Sequence, residues 1–179
     1  MRVFLDACVL FPSVLREILT GLAARGGFQP LWSERVLTEW LLATGRLGPE
    51  ATAHARAEIA RMRVAFPAAL CPPAPDLEAQ LDLPDAADKH VLACAAQAGA
   101  ALIVTFNLRD FPSYALFAHD LHAKSPDDFL MTQWHSQPAL VESAVAEVMA
   151  RTEAISGRSQ PVRALLKRAS LPRLGKALG

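Results

Sequence analysis

Two short, uninterrupted apolar runs, Val3-Phe4-Leu5 and Leu102-Ile103-Val104, the second continued by Thr105, constrain the fold more than anything else in the chain. Neither is long enough for a helix, and neither alternates apolar with polar residues. Each therefore reads as a strand covered on both faces, as in a central parallel sheet. Parallel strands need crossover connections, and the intervening sequence supplies helices for them. Pro12 can sit in a first helical turn, with Val14, Leu15, Ile18, Leu19 and Leu22 at helical spacing until Gly26-Gly27. Ser33 is the N-cap expected for a helix carrying Val36, Leu37, Trp40 and Leu41, closed by Gly45. An Ala-rich stretch from Glu50 to Val64 makes a third helix. Pro67, Pro72, Pro73 and Pro75 then argue against regular structure for roughly ten residues, with a short helical turn at Leu77 to Leu81. Pro84-Asp85 begins a helix that runs through Val91, Leu92 and Ala95 to Gly99. Ser125-Pro126-Asp127-Asp128 and Gln137-Pro138 begin two more, and Val162 to Arg168 forms a last short helix before Pro172.

At 179 residues and 52% hydrophobic content the chain suits one compact α/β domain with a helical appendage. Cys8, Cys71 and Cys94 lack CxxC spacing, so neither a disulfide framework nor a structural zinc site is expected, and they read as small buried apolar residues. No basic leader and no run of about eighteen apolar residues is present, so a cytoplasmic protein without a membrane partner is expected. Net charge is zero, but residues 1 to 153 hold all 18 acids and 12 of the 18 Lys and Arg, while Arg158, Arg163, Lys167, Arg168, Arg173 and Lys176 follow without one acid. Such a tail is compatible with binding a polyanion, although a solvated helix face is the commoner explanation.

In open parallel sheets ligands bind off the carboxyl ends of the strands. Asp6 ends the first strand at that edge, and Asn107 and Asp110 follow the strand ending in Thr105. A helix or turn cap is the plain alternative for Asp6, and ordinary turn chemistry for Asn107 and Asp110. Projected as one helix, Asp85 to Gly99 places Val91, Leu92, Ala95, Ala96 and Gly99 on one side, with Asp88 near the middle of that stripe. A carboxylate there needs a cation or donors. Asp85 lies on the same half but is an equally good N-cap. Glu39 falls at the flank of its helix's apolar stripe, where either a cleft carboxylate or a surface glutamate would stand. Converging carboxylates repel one another unless some protonate or a divalent cation joins them, and oxygen-only donors point to Mg²⁺ or Mn²⁺. Such ions assist phosphodiester hydrolysis.

The order of these pieces, strand-Asp6, Ser33-Glu-Arg-Val-Leu-Thr-Glu39-Trp, Asp85-Ala-Ala-Asp88-Lys-His-Val-Leu-Ala-Cys-Ala and Ile103-Val-Thr105-Phe-Asn107-Leu-Arg-Asp110-Phe-Pro112, resembles the PIN-domain family, and within it the VapC-type toxins of type II toxin-antitoxin systems. The resemblance implies a three-layer α/β/α nuclease domain over residues 1–125, with residues 126–179 as a helical extension bearing the basic tail. It implies Asp6, Glu39 and Asp88 as metal-site acids with Asp85 beside them. The family's fourth acid falls at Asn107, so either Asp110 takes that role or Asn107 is a neutral ligand, and Thr105 positions a ligand or phosphate. It further implies Mg²⁺ or Mn²⁺, an RNA substrate, a homodimer and a cognate antitoxin.

Other readings have less support. A dehalogenase-like phosphatase needs an acid where Cys8 stands, and a receiver domain needs acids before the first strand, where Met1-Arg2 leaves no room. A catalytically inactive PIN module that binds RNA or protein is opposed by the retention of Asp6, Glu39 and Asp88. His90 as a metal ligand and Trp32 and Trp40 as base-stacking platforms are weaker expectations than core positions.

Overall fold

The computed structural model describes residues 1–179. In chain order the elements are β1 (Arg2–Leu5), α1 (Ala7–Leu10), α2 (Ser13–Ala24), β2 (Gln29–Ser33), α3 (Glu34–Gly45), α4 (Pro49–Ala65), β3 (Leu70–Cys71), α5 (Pro75–Gln80), α6 (Lys89–Gln97), β4 (Leu102–Val104), α7 (Ser113–Phe117), β5 (His122–Lys124), α8 (Pro126–Ser136), α9 (Pro138–Ser156), α10 (Val162–Arg168) and α11 (Pro172–Leu178). Single 3₁₀ turns lie at Ala86–Asp88 and Leu108–Asp110. No helix is long and apolar enough to cross a membrane. The backbone divides into two compact units, Met1–Phe11 with Phe28–Lys124, and Pro12–Gly27 with Ser125–Gly179.

The first unit holds a five-stranded, all-parallel sheet in the order β3-β2-β1-β4-β5. The two runs that constrained the fold are its centre: Phe4 pairs with Ile103, and Val3, Phe4, Leu5, Ile103 and Val104 are fully buried. Strand order steps one way from β1 to β3 and the other way through β4 to β5. Right-handed crossovers then require α3–α4 on one face and α6 on the other, which gives the expected three-layer α/β/α fold. Helix α6 lies against β1, β2 and β4 and is buried from His90 to Ala95. Gly99, at φ +63°, turns the chain from α6 toward β4 in the left-handed conformation. Between β1 and β4 the chain order reverses, and at that point the loops diverge and leave a crevice at the carboxyl edge.

Three strands escape the sequence pattern for identifiable reasons. β2 contains Pro30, which argues against an interior strand. In the structure Gln29 N–H bonds toward β1, so Pro30's missing N–H points to the other side, where β3 pairs only with Trp32 and Ser33. β3 itself is two residues inside the proline-rich stretch that argued against regular structure. β5 is a short edge strand with His122 and Lys124, charged and polar as exposed edges tend to be.

The second unit is helical. α2 packs on α9, where Gly21 approaches the Ala144 side chain, and α8 contacts α9 and α11. Leu15, Ile18, Leu19 and Leu22 of α2 are fully buried, as are Val141 of α9 and Leu166, Leu171 and Leu174 nearer the end of the chain. Asp127 accepts from the N–H groups of Arg173 (2.9 Å) and Leu174 (3.0 Å), satisfying the first turn of α11.

Candidate functional site

Asp6 leaves β1 at the reversal point, in extended conformation, and its Oδ1 accepts the Ala7 N–H at 2.6 Å, capping the short α1. The cap reading of this residue is thus realised, but only one carboxylate oxygen is used for it. Thr105 stands at the same edge of the neighbouring strand, fully buried, and its hydroxyl donates to Asp6 Oδ2 at 2.7 Å. The Asn107 N–H closes the corner by donating to Thr105 Oγ1 at 3.0 Å. Residues 99 positions apart are joined because parallel pairing brings both strand ends to one place.

Cys8, expected to be inert packing, belongs to this cluster. Its thiol donates to Asp6 Oδ2 at 3.2 Å, lies 3.4 Å from Thr105 Oγ1 and accepts from the Phe106 N–H at 3.3 Å. Burial, reinforced by the Asp6 carboxylate, pushes it up to about 12, so it remains a neutral donor. Cys71 and Cys94 are buried, as expected.

Asp88 differs from its expected place. The helix begins at Lys89, preceded by the Ala86–Asp88 3₁₀ turn, so Asp88 stands at the helix mouth, partly buried, rather than within the apolar stripe. The reason is Asp85, whose side chain accepts from Ala87 N–H at 2.8 Å and caps the tighter turn. No capping bond from the Asp88 side chain is formed. Burial, followed by the charges of Asp6, Asp110 and Asp85, pushes the Asp88 carboxyl up to about 6. Carboxylates from three segments therefore share one electrostatic environment. Asp110 is partly buried on its 3₁₀ turn, whereas Asn107 is exposed and its side chain caps nothing.

Glu39 projects from α3, whose N-terminus is capped by Ser33 (Val36 N–H to Oγ, 3.2 Å) as expected. Its carboxylate lies 3.0 Å from His90 Nε2 and 3.4 Å from Arg35 Nε. Burial acts to raise the Glu39 carboxyl, but His90 and then Arg35 outweigh it and hold the group below its ordinary range. Arg35 also bonds Glu78 at 3.0 Å and the Ala87 carbonyl at 3.3 Å, tying α3 to α5 and to the turn that carries Asp88. His90 is 3% exposed and serves as Glu39's partner. Trp32 and Trp40 are core residues, Trp32 edge-on to Phe66 at 5.9 Å.

No three His, Cys, Asp or Glu side chains close into a ready-made metal cage. The donors nevertheless suit a hard cation, because Mg²⁺ keeps much of its water and needs only one or two carboxylates from the protein. The Asp88 carboxyl, raised by burial and then by its acidic neighbours, is the kind of group whose charge such an ion would compensate.

A family model described as PIN domain matches residues 2–109, a span that includes Asp6, Glu39, Asp85, Asp88, Thr105 and Asn107. Over 46 residues the chain is 50% identical to the Mycobacterium tuberculosis protein named "Putative ribonuclease VapC50"; the match covers 26% of this chain and 27% of that relative, about a quarter of each. No solved structure matches.

Proposed function

This chain belongs to the PIN-domain family, and from that premise we propose that it is a Mg²⁺- or Mn²⁺-dependent endoribonuclease, the toxin of a toxin-antitoxin pair. The observation that carries the reading is the Asp6 carboxylate held by Thr105 at the point where strand order reverses, beside an Asp88 carboxyl raised by burial and then by the charges of Asp6, Asp110 and Asp85. Residues 1–125 are assigned as the catalytic domain and 126–179 as the helical extension, with Pro12–Gly27 grouped with the extension in the fold.

Asp6 and Asp88 hold the metal. Asp6 is pre-oriented by three donors, and Thr105 positions the ligand through it. Glu39, steadied by His90 and Arg35, binds metal or orients the attacking water. Asp110 completes the set in place of Asn107, favoured by its electrostatic coupling to Asp88, and Asp85 keeps the Asp88 turn in position. When bound, such an ion acidifies water and offsets charge growing on the leaving oxygen. The 50% identity over 46 residues to a relative named a ribonuclease supports RNA as substrate; an antitoxin partner, a homodimer and a cytoplasmic location belong to the same proposal through the resemblance to VapC-type toxins.

Labelled total RNA incubated with the purified protein and Mg²⁺, Mn²⁺ or EDTA tests this. Metal-dependent cutting that disappears in Asp88→Asn is expected. Absence of cutting with every metal, together with no metal binding by calorimetry, would overturn it in favour of the inactive binding module.

A further inference from the structure

The second unit carries a charge problem opposite to that of the acidic site. Its six acids are all engaged within the unit. Glu17 and Glu147 pair with Arg151, Glu147 also with Arg25, and Asp128 with Arg173. Asp127 caps α11, Glu142 accepts from Trp134, and Glu153 accepts from Ser159. The side chains of Arg158, Arg163, Lys167 and Lys176 are left without a counter-ion.

Local helix energetics account for only part of this. Lys167 and Lys176 sit in the last turns of α10 and α11, where carbonyl ends favour cations. Arg163 sits in the first turn of α10, where the helix dipole disfavours a cation and no acid is present to offset it. The helices also approach closely: a Cβ at Gly175 would lie 3.3 Å from the Arg163 carbonyl oxygen and 3.1 Å from Leu166 Cβ. Gly175 thus lets the turns bearing Arg163 and Lys176 adjoin, concentrating like charge. Such an arrangement is unfavourable by itself and becomes favourable when a polyanion meets it.

We propose that the exposed face of α10 and α11, with Arg158 before it, binds the phosphate backbone of RNA, independently of base sequence. The inference rests on the nuclease reading and names where, outside the acidic site, the substrate is held. The face suits phosphates better than lipid or a folded protein. No large apolar side chain after Ile155 is exposed, and Leu165, Leu166, Leu171 and Leu174 point into the core. It therefore offers no membrane-inserting stripe, and its apolar surface is a hollow lined by Val145, Met149, Val162 and Leu178 rather than an exposed patch.

The test is fluorescence anisotropy of a fluorescein-labelled, mixed-sequence single-stranded RNA binding to full-length Asp88→Asn protein in EDTA across a salt series. Adding R163E/K167E/K176E should weaken binding at least about tenfold at low salt and reduce the slope of log affinity against log salt by about 2, since each single-strand phosphate contact contributes about 0.7. The neutral set R163Q/K167Q/K176Q, with an unchanged circular dichroism spectrum, should lose an intermediate amount. A parental slope near zero, or equal affinity in parent and both variants, would overturn the proposal. So would charge-dependent binding to phosphatidylserine vesicles without binding to RNA, which would make the face a lipid surface. Metal-dependent cleavage with unaltered RNA binding in the variants sinks this inference alone; binding as expected without cleavage by the wild-type protein sinks the nuclease reading alone.

Discussion

The two units balance each other in total charge and treat charge in opposite ways. The sheet unit has twelve acids against nine Lys and Arg, and the helical unit six against nine. In the helical unit every carboxylate has a partner and cations are left over. In the sheet unit Arg35 and His90 are spent on Glu39, and it is the Asp88 carboxyl that is left among other acids. Uncompensated charge is costly to maintain in a folded protein unless something outside the chain neutralises it. The sign of each excess matches the ligand proposed for it: a small cation at the sheet edge, a polyanion on the helices.

The largest expected effect separates two acids that look alike in sequence. Asp6→Asn and Asp88→Asn should each lower single-turnover RNA cleavage by about a thousandfold or more, as expected when a transition-state interaction is removed. Their metal-free stabilities should move in opposite directions. Asp6 accepts three hydrogen bonds, so its replacement should cost about 1–3 kcal/mol, whereas Asp88→Asn relieves repulsion and should raise the unfolding midpoint. Equal shifts in both would erase the distinction between a held and a crowded carboxylate.

A smaller effect is expected at His90. His90→Ala removes the partner 3.0 Å from Glu39 and should cost about 10–100-fold in activity, the usual range for residues that orient a metal-site group. His90→Gln, which retains an N–H, should restore part of it with kcat recovering more than KM. No rescue, with the melting point lowered alike in both, would make His90 a packing residue only.

The smallest effect concerns pH. The Asp88 carboxyl titrates at about 6 in the folded protein against 3.8 in an open chain. A carboxyl raised in this way contributes stability that is fully present below 3.8 and is lost as pH rises through about 6. Denaturant unfolding without metal should therefore show wild type and Asp88→Asn converging at the acidic end, separating between 3.8 and about 6 and staying apart above that, with the variant the more stable. Saturating Mg²⁺ should close the gap by stabilising only the wild type.

How much of this was legible in the chain depended on how local the cause was. The Ser33 cap, the helices starting at Pro126 and Pro138 and the two central strands follow from side-chain chemistry within a few residues. β2 and β3 were not legible, because whether Pro30 spoils a ladder depends on which strand lies beside it. Among candidate site residues, Asp6 and Asp88 stand out by position and Glu39 enters through the family resemblance, yet the details that set their charge are not visible in the sequence. Contact between His90 and Glu39 spans α3 and α6, and only folding reveals it. An i,i+4 spacing to Glu39 is the one local hint that Arg35 matters. Nothing about a lone Cys8 announces a hydrogen bond to Asp6.

The grouping of α2 with the last 55 residues has a consequence in time. During synthesis α2, bearing Leu15, Ile18, Leu19 and Leu22, emerges more than a hundred residues ahead of α9, the helix that covers it. Until α9 follows, that apolar stripe lacks the helix that covers it, so a nascent chain presents a sticky surface there. Emergence of α9, rather than assembly of the sheet alone, is the event that covers that stripe.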